Sequence, residues 1–304
     1  IATGLVTVGV AYFFGSKLAV QSSSSVSFKE AWKEGKGMVR MGIMLSLSTI
    51  IAGLVAYVVR IFIGRQGGLT DVGLYNAGFA IVNTYVGMIF TAISTDYYPR
   101  LAAVAHDRVE ANRLVNQQTE MALLILGPIL ITFLIALKFV MLILYTAEFL
   151  SIMTMVQWFV VAIIFKAIAW ALGFLFLAKG DSKVFFWNEL VANVYLLLLS
   201  ILGYYYFGLE GLGISFLISF VLSVIQNFLI VHYRHQFAME GKLIIIFFVN
   251  LLLITACAFI MRFIPQPLSY FYAAPFLMAS IGFSWWQMNK RIDFQHYLNR
   301  IFPK

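Results

Sequence analysis

The chain has 304 residues, 62% hydrophobic and only 11% charged, and a mean hydropathy of +0.91. Soluble globular domains carry about a quarter of their residues as charges, so this composition excludes a soluble enzyme or binding module and implies a polytopic membrane protein. The net charge of +8 does not indicate a nucleic-acid partner, because the basic residues fall in short connectors between apolar runs, with no aromatic-basic pattern among them.

Nine apolar runs can be drawn, at about 1–16, 41–63, 72–98, 119–143, 153–178, 184–206, 210–231, 243–263 and 269–288. A hydrocarbon core of roughly 30 Å needs about 20 helical residues, and barrel strands would be about ten residues with alternating polarity. The expected fold is therefore all-α, a transmembrane helical bundle of about nine spans.

The first residues, IATGLVTVGVAYFFG, already belong to an apolar run with no basic region before it. They read as the end of a span rather than a secretory signal, and earlier spans of a longer protein are expected. VQSSSSVSFKEAWKEGKG follows, a serine-rich hinge leading to a basic segment with Phe28 and Trp32.

In the second run Gly42, Ser46, Thr49, Gly53, Ala56 and Arg60 recur at steps of four and three, on one helix face. Packing through small residues explains the glycines and alanine. The charge of Arg60 needs water, an anion, an acid or the nearby interface. The third run has a matching stripe, Asn76, Ala80, Asn83, Gly87, Thr91 and Ser94. That face serves either close helix packing or a wet cavity, and the sequence leaves both open. Asp96-Tyr97-Tyr98-Pro99-Arg100 closes the run, where proline is expected to stop the helix. Leu101, Val104, Val109 and Leu114 then predict a short helix along the membrane surface.

Gly127-Pro128 bends or begins the fourth run, and Lys166 lies near the middle of the fifth. Insertion scales put a lysine at that depth at roughly 2.5 to 3.5 kcal/mol unless it faces the bundle interior. It therefore pairs with a carboxylate or binds an anionic ligand. Glu189, Asn193 and Ser200 share a face of the sixth run, and Glu189 could partner a lysine, carry a coupling proton or reach the interface. Gly208, Gly211 and Gly213 predict a tight turn, not a nucleotide loop, since no strand of a βαβ unit precedes them. A single cysteine, Cys257, excludes an internal disulfide and a metal framework. No cofactor is expected. Lysine and arginine crowd one set of connectors, whereas the opposite set holds only Arg65, Lys138 and Arg262. This bias places the C-terminus in the cytoplasm.

The order GLYNAGFAIVNTY, DYYPRLAAVAHD, LVNQQTEMALLILGP resembles the O-antigen and lipid-linked oligosaccharide flippases of the multidrug/oligosaccharidyl-lipid/polysaccharide exporter superfamily. The resemblance covers about residues 28–237 and carries no catalytic signature. It implies that residues 1–16 are the last helix of a first lobe, 17–40 an inter-lobe linker and 41–231 a second six-helix lobe. Residues 243–288 would be two additional helices and 289–304 a cytoplasmic tail. It further implies an undecaprenyl-pyrophosphate-linked glycan as substrate, the bacterial inner membrane as location, and glycan polymerase and chain-length proteins as partners beside membrane lipid.

A membrane enzyme is disfavoured, because all four histidines, His106, His232, His235 and His296, lie in connectors or the tail. The outer connectors are also short and hold few acids, Asp71, Glu148 and Glu210. On this reading Lys166 and Arg60 hold phosphates, Asn76, Asn83 and Thr91 meet sugar hydroxyls, and Asp96 and Glu189 are candidates for ion coupling. A cation-coupled multidrug exporter and a scaffold of a glycan-assembly complex are the competing readings.

Overall fold

The computed structural model describes residues 9, 10, 12, 13 and 27–290. They divide into two compact units, 1–42 and 43–304. In the first unit the described residues 9, 10, 12 and 13 are helical, as is the stretch from Phe28 onward. Most of run 1–16, the serine hinge and the tail from 291 lie outside the described residues.

From Phe28 to Asn289 seven α-helices follow one another with short turns: α1 (Phe28–Gln66), α2 (Gly68–Val104), α3 (Arg108–Leu144), α4 (Met153–Ala178), α5 (Ser182–His235), α6 (Gly241–Phe263) and α7 (Leu268–Asn289). A 3-10 turn, Ala147–Ile152, leads into α4. No strand occurs among the described residues. The protein is thus an all-α, multi-pass membrane bundle, as composition requires. In lipid each backbone N–H and C=O must find its partner within the helix.

Among the described residues six stretches are long and apolar enough to cross a membrane: Gly35–Gln66, Gly68–Val104, Arg108–Leu144, Ala147–Ala178, Ser182–His235 and Gly241–Phe263. α7 is not among them, because serines, tyrosines and a glutamine dilute its hydropathy. Within α5, however, the backbone leaves helical geometry at Gly208, with φ +58°. Residues either side pair in antiparallel register: Ser215 Oγ donates to the Leu199 carbonyl at 2.6 Å, and Gln226 Nε2 to the Asn188 carbonyl at 2.9 Å. The chain therefore folds back on itself, giving two arms, 182–207 and 209–235. Gly203 and Gly211 touch backbone to backbone below the turn, where a Cβ on either would collide with the other's carbonyl.

α4 is the central helix. It packs on α2, α3, α5 and α6, and Val156, Phe159, Val160, Ile163, Ile164, Ala167, Leu172 and Phe176 are buried all round it. A helix apolar on every face belongs in the middle of a bundle. Gly213 brings the second arm of α5 against the Met155 carbonyl, a small-residue contact of the kind that joins helices in lipid.

Two local expectations are overturned. α2 does not stop at Pro99 but runs through it to Val104. Tyr97 and Leu101, either side of the proline, are fully buried, and Tyr97 Oη donates to the Ala171 carbonyl at 3.0 Å. This packing offsets the hydrogen bond that proline cannot donate. Nor is there a separate surface helix. Asp107 caps α3 by accepting from the Val109 and Glu110 N–H groups at 2.8 and 3.2 Å, so the polar connector is absorbed into the ends of two long helices.

Both ends of the second unit are fastened by polar contacts. At one end Tyr204 Oη donates to Asp71 at 2.6 Å, and Glu210 accepts from Trp158 Nε1 at 3.0 Å and pairs with Arg262 at 2.8 Å. At the other, Lys179 Nζ donates to the Ala105 carbonyl at 2.6 Å, and Asp181 pairs with Arg234 at 3.0 Å and lies 3.1 Å from His235 Nε2.

Candidate functional site

The lysine at mid-bundle has no acid as ion-pair partner among the described residues. Lys166 Nζ donates to Asn83 Oδ1 at 3.2 Å and sits 5.6 and 5.9 Å from the ring centroids of Phe220 and Phe90. No carboxylate forms an ion pair with it among the described residues. Amide dipole and ring faces solvate an ammonium without cancelling its charge.

Lys166 opens into a cavity of about 420 Å³ between α4 and both arms of α5. α4 contributes Lys166, Trp170, Gly173 and Phe174, the first arm Glu189, Asn193 and Tyr195, and the second arm Ser219, Phe220, Ser223 and Asn227. The lining repeats at helical steps, 166-170-173 on α4 and 219-223-227 on α5, which is why one face of each element reaches it. From Lys166 the cavity extends toward Leu177 and Phe185, the end of the bundle that carries the basic turn at Lys179 and Lys183. Such a chamber, mostly apolar with a few convergent polar groups, has the make-up of a small-molecule site.

The two amides of the α2 stripe each hold one cation. Asn83 accepts from Lys166, and two turns away Asn76 Oδ1 accepts from Arg60 Nε at 2.8 Å. Arg60 and Asn76 do not line the cavity of Lys166. Thr91 bonds back to the Gly87 carbonyl at 2.9 Å and is exposed. A Cβ at Gly53 or Gly87 would meet nothing within 4 Å, so these stripe positions are not packed against a neighbouring helix. Asp96 is exposed and paired with Arg100 at 2.9 Å. Glu189, by contrast, shares the cavity with Lys166. Trp170, Tyr195, Ser219, Ser223 and Asn227 were not singled out from sequence. The four-residue rhythm of Ser219, Ser223 and Asn227 was the available signal, hidden because serine and asparagine in lipid more often serve helix packing.

Residues 4–154 match the family model described as "Polysaccharide biosynthesis protein". Among solved structures the fold is similar to "Lipid II flippase MurJ, inward closed conformation", with TM-score 0.60 and 11% identity over 91% of this chain and 59% of that one. It is also similar to an outward-facing "multidrug resistance MATE family transporter of the MOP superfamily", with TM-score 0.56 and 16% identity over 74% of this chain and 54% of that one. No curated protein matches the chain in sequence. The architecture is that of a multi-helix membrane bundle. The chain spans between half and two-thirds of the length of the two structures it resembles.

Proposed function

We propose that this chain acts in flipping a lipid-diphosphate-linked oligosaccharide, O-antigen-like and carried on undecaprenol, across the bacterial inner membrane by alternating access. The observation that carries the reading is Lys166: a cation at mid-bundle, facing a cavity, held by an amide and ring faces with no carboxylate paired to it. A diphosphate needs such a donor. An exporter of cationic drugs would instead place its acids there alone. The cavity extends toward the basic end of the bundle, which the lysine and arginine bias assigns to the cytoplasm; this supports loading of the head group from that side while the lipid tail stays in the bilayer. Arg60 with Asn76 forms a second anion-accepting pair toward the opposite end, and Glu189 is the acid best placed to carry a coupling proton.

The test is flipping by the full-length protein in vesicles that contain a fluorescent lipid-diphosphate oligosaccharide. Lys166→Ala removes a charge-assisted bond worth roughly 1.5–3 kcal/mol, so the rate is expected to fall about tenfold or more at equal protein incorporation. An unchanged rate removes the lysine from the mechanism. A scaffold would move no lipid in the wild-type vesicles either.

A further inference from the structure

Two residues that line the cavity together with Lys166 carry buried polar atoms with no hydrogen-bond partner. On the second arm of α5, Ser219 and Asn227 are 4% and 3% exposed, and Ser219 Oγ and Asn227 Oδ1 have no hydrogen-bond partner. Asn227 Nδ2 is already engaged, donating to the Ala169 carbonyl at 2.8 Å, which fixes the amide. Buried polar atoms are nearly always partnered, and each exception asks for a ligand, a water or a strained fold. Two in the wall of one cavity, two turns apart on one helix face, make an acceptor row.

Beside that row stands an aromatic platform. Trp170 and Phe174 line the cavity, and the Trp170 indole is wedged among Phe174, Phe90 and Tyr97 at centroid distances of 4.9, 5.2 and 5.6 Å. The Tyr97 hydroxyl, anchored on the Ala171 carbonyl, locks the group to α4. A rigid aromatic face next to hydrogen-bonding groups complements one class of ligand well. A sugar ring presents C–H bonds on one face, which lie on an aromatic plane, and hydroxyls at its rim, which need donors and acceptors.

We propose that Trp170, Ser219 and Asn227 form a glycosyl subsite, in which one sugar ring stacks on the indole while its rim bonds to Ser219 Oγ and Asn227 Oδ1. Only its placement beside the diphosphate rests on the flippase reading above. With the diphosphate on Lys166, the ring in this subsite is the sugar joined directly to phosphate. A site built to bond a hydroxyl discriminates strongly against ligands that lack it, so this subsite selects the first sugar of the glycan rather than its length.

Binding to the full-length protein in nanodiscs tests this. The probes are a fifteen-carbon isoprenyl diphosphate, the same diphosphate capped with glucose, galactose or N-acetylglucosamine, and the methyl glycosides of those three sugars without phosphate. At least one capped diphosphate is expected to bind about tenfold tighter than the bare one. Ser219→Ala, which deletes a hydroxyl with no protein partner, should shrink that ratio to within about twofold, as should Trp170→Leu. The preferred methyl glycoside should lose binding in the same variants. The proposal is overturned if no sugar improves binding in either series, or if Ser219→Ala leaves the gain intact, which would mean that water fills the row. Lys166→Ala reports on the flippase reading separately: bare diphosphate should bind it at least tenfold more weakly. If it does not, that reading fails, while a Ser219-dependent glycoside affinity would still establish the sugar site.

Discussion

Lys166 illustrates how a charge is kept usable inside a membrane bundle. A carboxylate at ion-pair distance would have stabilised it and also silenced it, since a paired ammonium has little left for an anion. An amide oxygen at 3.2 Å and two aromatic faces stabilise it without neutralising it. If the chain flips lipid as proposed, Asn83 is a positioning residue, and Asn83→Leu is expected to slow flipping by about tenfold while leaving protein level near normal, one hydrogen bond to a charged group being worth roughly 1.5 kcal/mol or more. Asn83→Asp should be as harmful, by closing the ion pair, and vesicle flipping rates distinguish both from an inert position. Arg60 obeys the same rule through Asn76. Sequence displayed the stripe and both cations but not that amide and cation would be partners, because that depends on the register of α1 against α2 and of α4 against α2.

At the level of helices, glycine decides where α5 can turn and how closely its arms lie. Gly208 holds φ +58°, the left-handed region that a Cβ disfavours. Gly211→Val would drive a branched side chain into the Gly203 carbonyl, and backbone cannot yield as a side-chain tip can. We expect this substitution to lower the melting temperature sharply, by more than Gly208→Ala, for which about 1 kcal/mol is expected; thermal unfolding in detergent measures the order. The inner turn provides a pH signature. The Arg234 guanidinium bonded to Asp181 holds that carboxyl below its ordinary value, with His235 and Lys179 adding to the effect. A depressed folded value gives stability that is present above the unfolded pKa of about 3.9 and lost as pH falls through the lower folded one. Asp181→Asn should therefore melt earlier than wild type at neutral pH, and the gap should close on acidification below about pH 4. The apolar runs made most of these helices legible, and the glycine spacing gave away the α5 turn. Pro99 misled, because the local cost of proline is visible in sequence whereas the burial of Tyr97 and Leu101 around it is not.

For the molecule as a whole, the decisive division is between surfaces that meet protein and surfaces that meet water or lipid. α4 is enclosed on all sides, while Gly53 and Gly87 of the polar stripes face open space. If that space is wet, cysteines placed there will react with a membrane-impermeant thiol reagent. Gly53→Cys and Gly87→Cys in a Cys257→Ser background are expected to be labelled at least tenfold faster than native Cys257, which is fully buried; equal rates would mean that lipid or a packed helix covers the stripe. The positions of Arg60 and Lys166 along their helices were readable in advance because each is written in a single apolar run. The cavity was not, since its walls come from three separate runs that meet only through the α5 turn.

One consequence follows from α2 and α3 each running 37 residues without a break. At 1.5 Å per residue each is a rod of about 55 Å, far longer than the roughly 30 Å of hydrocarbon it must cross. This excess length lets their shared tip at His106 reach beyond the lipid, mechanically continuous with Asn83 and with the ammonium it steadies. A small binding protein raised against that tip would act as a brake on a lever, slowing turnover from outside the bilayer without entering the chamber.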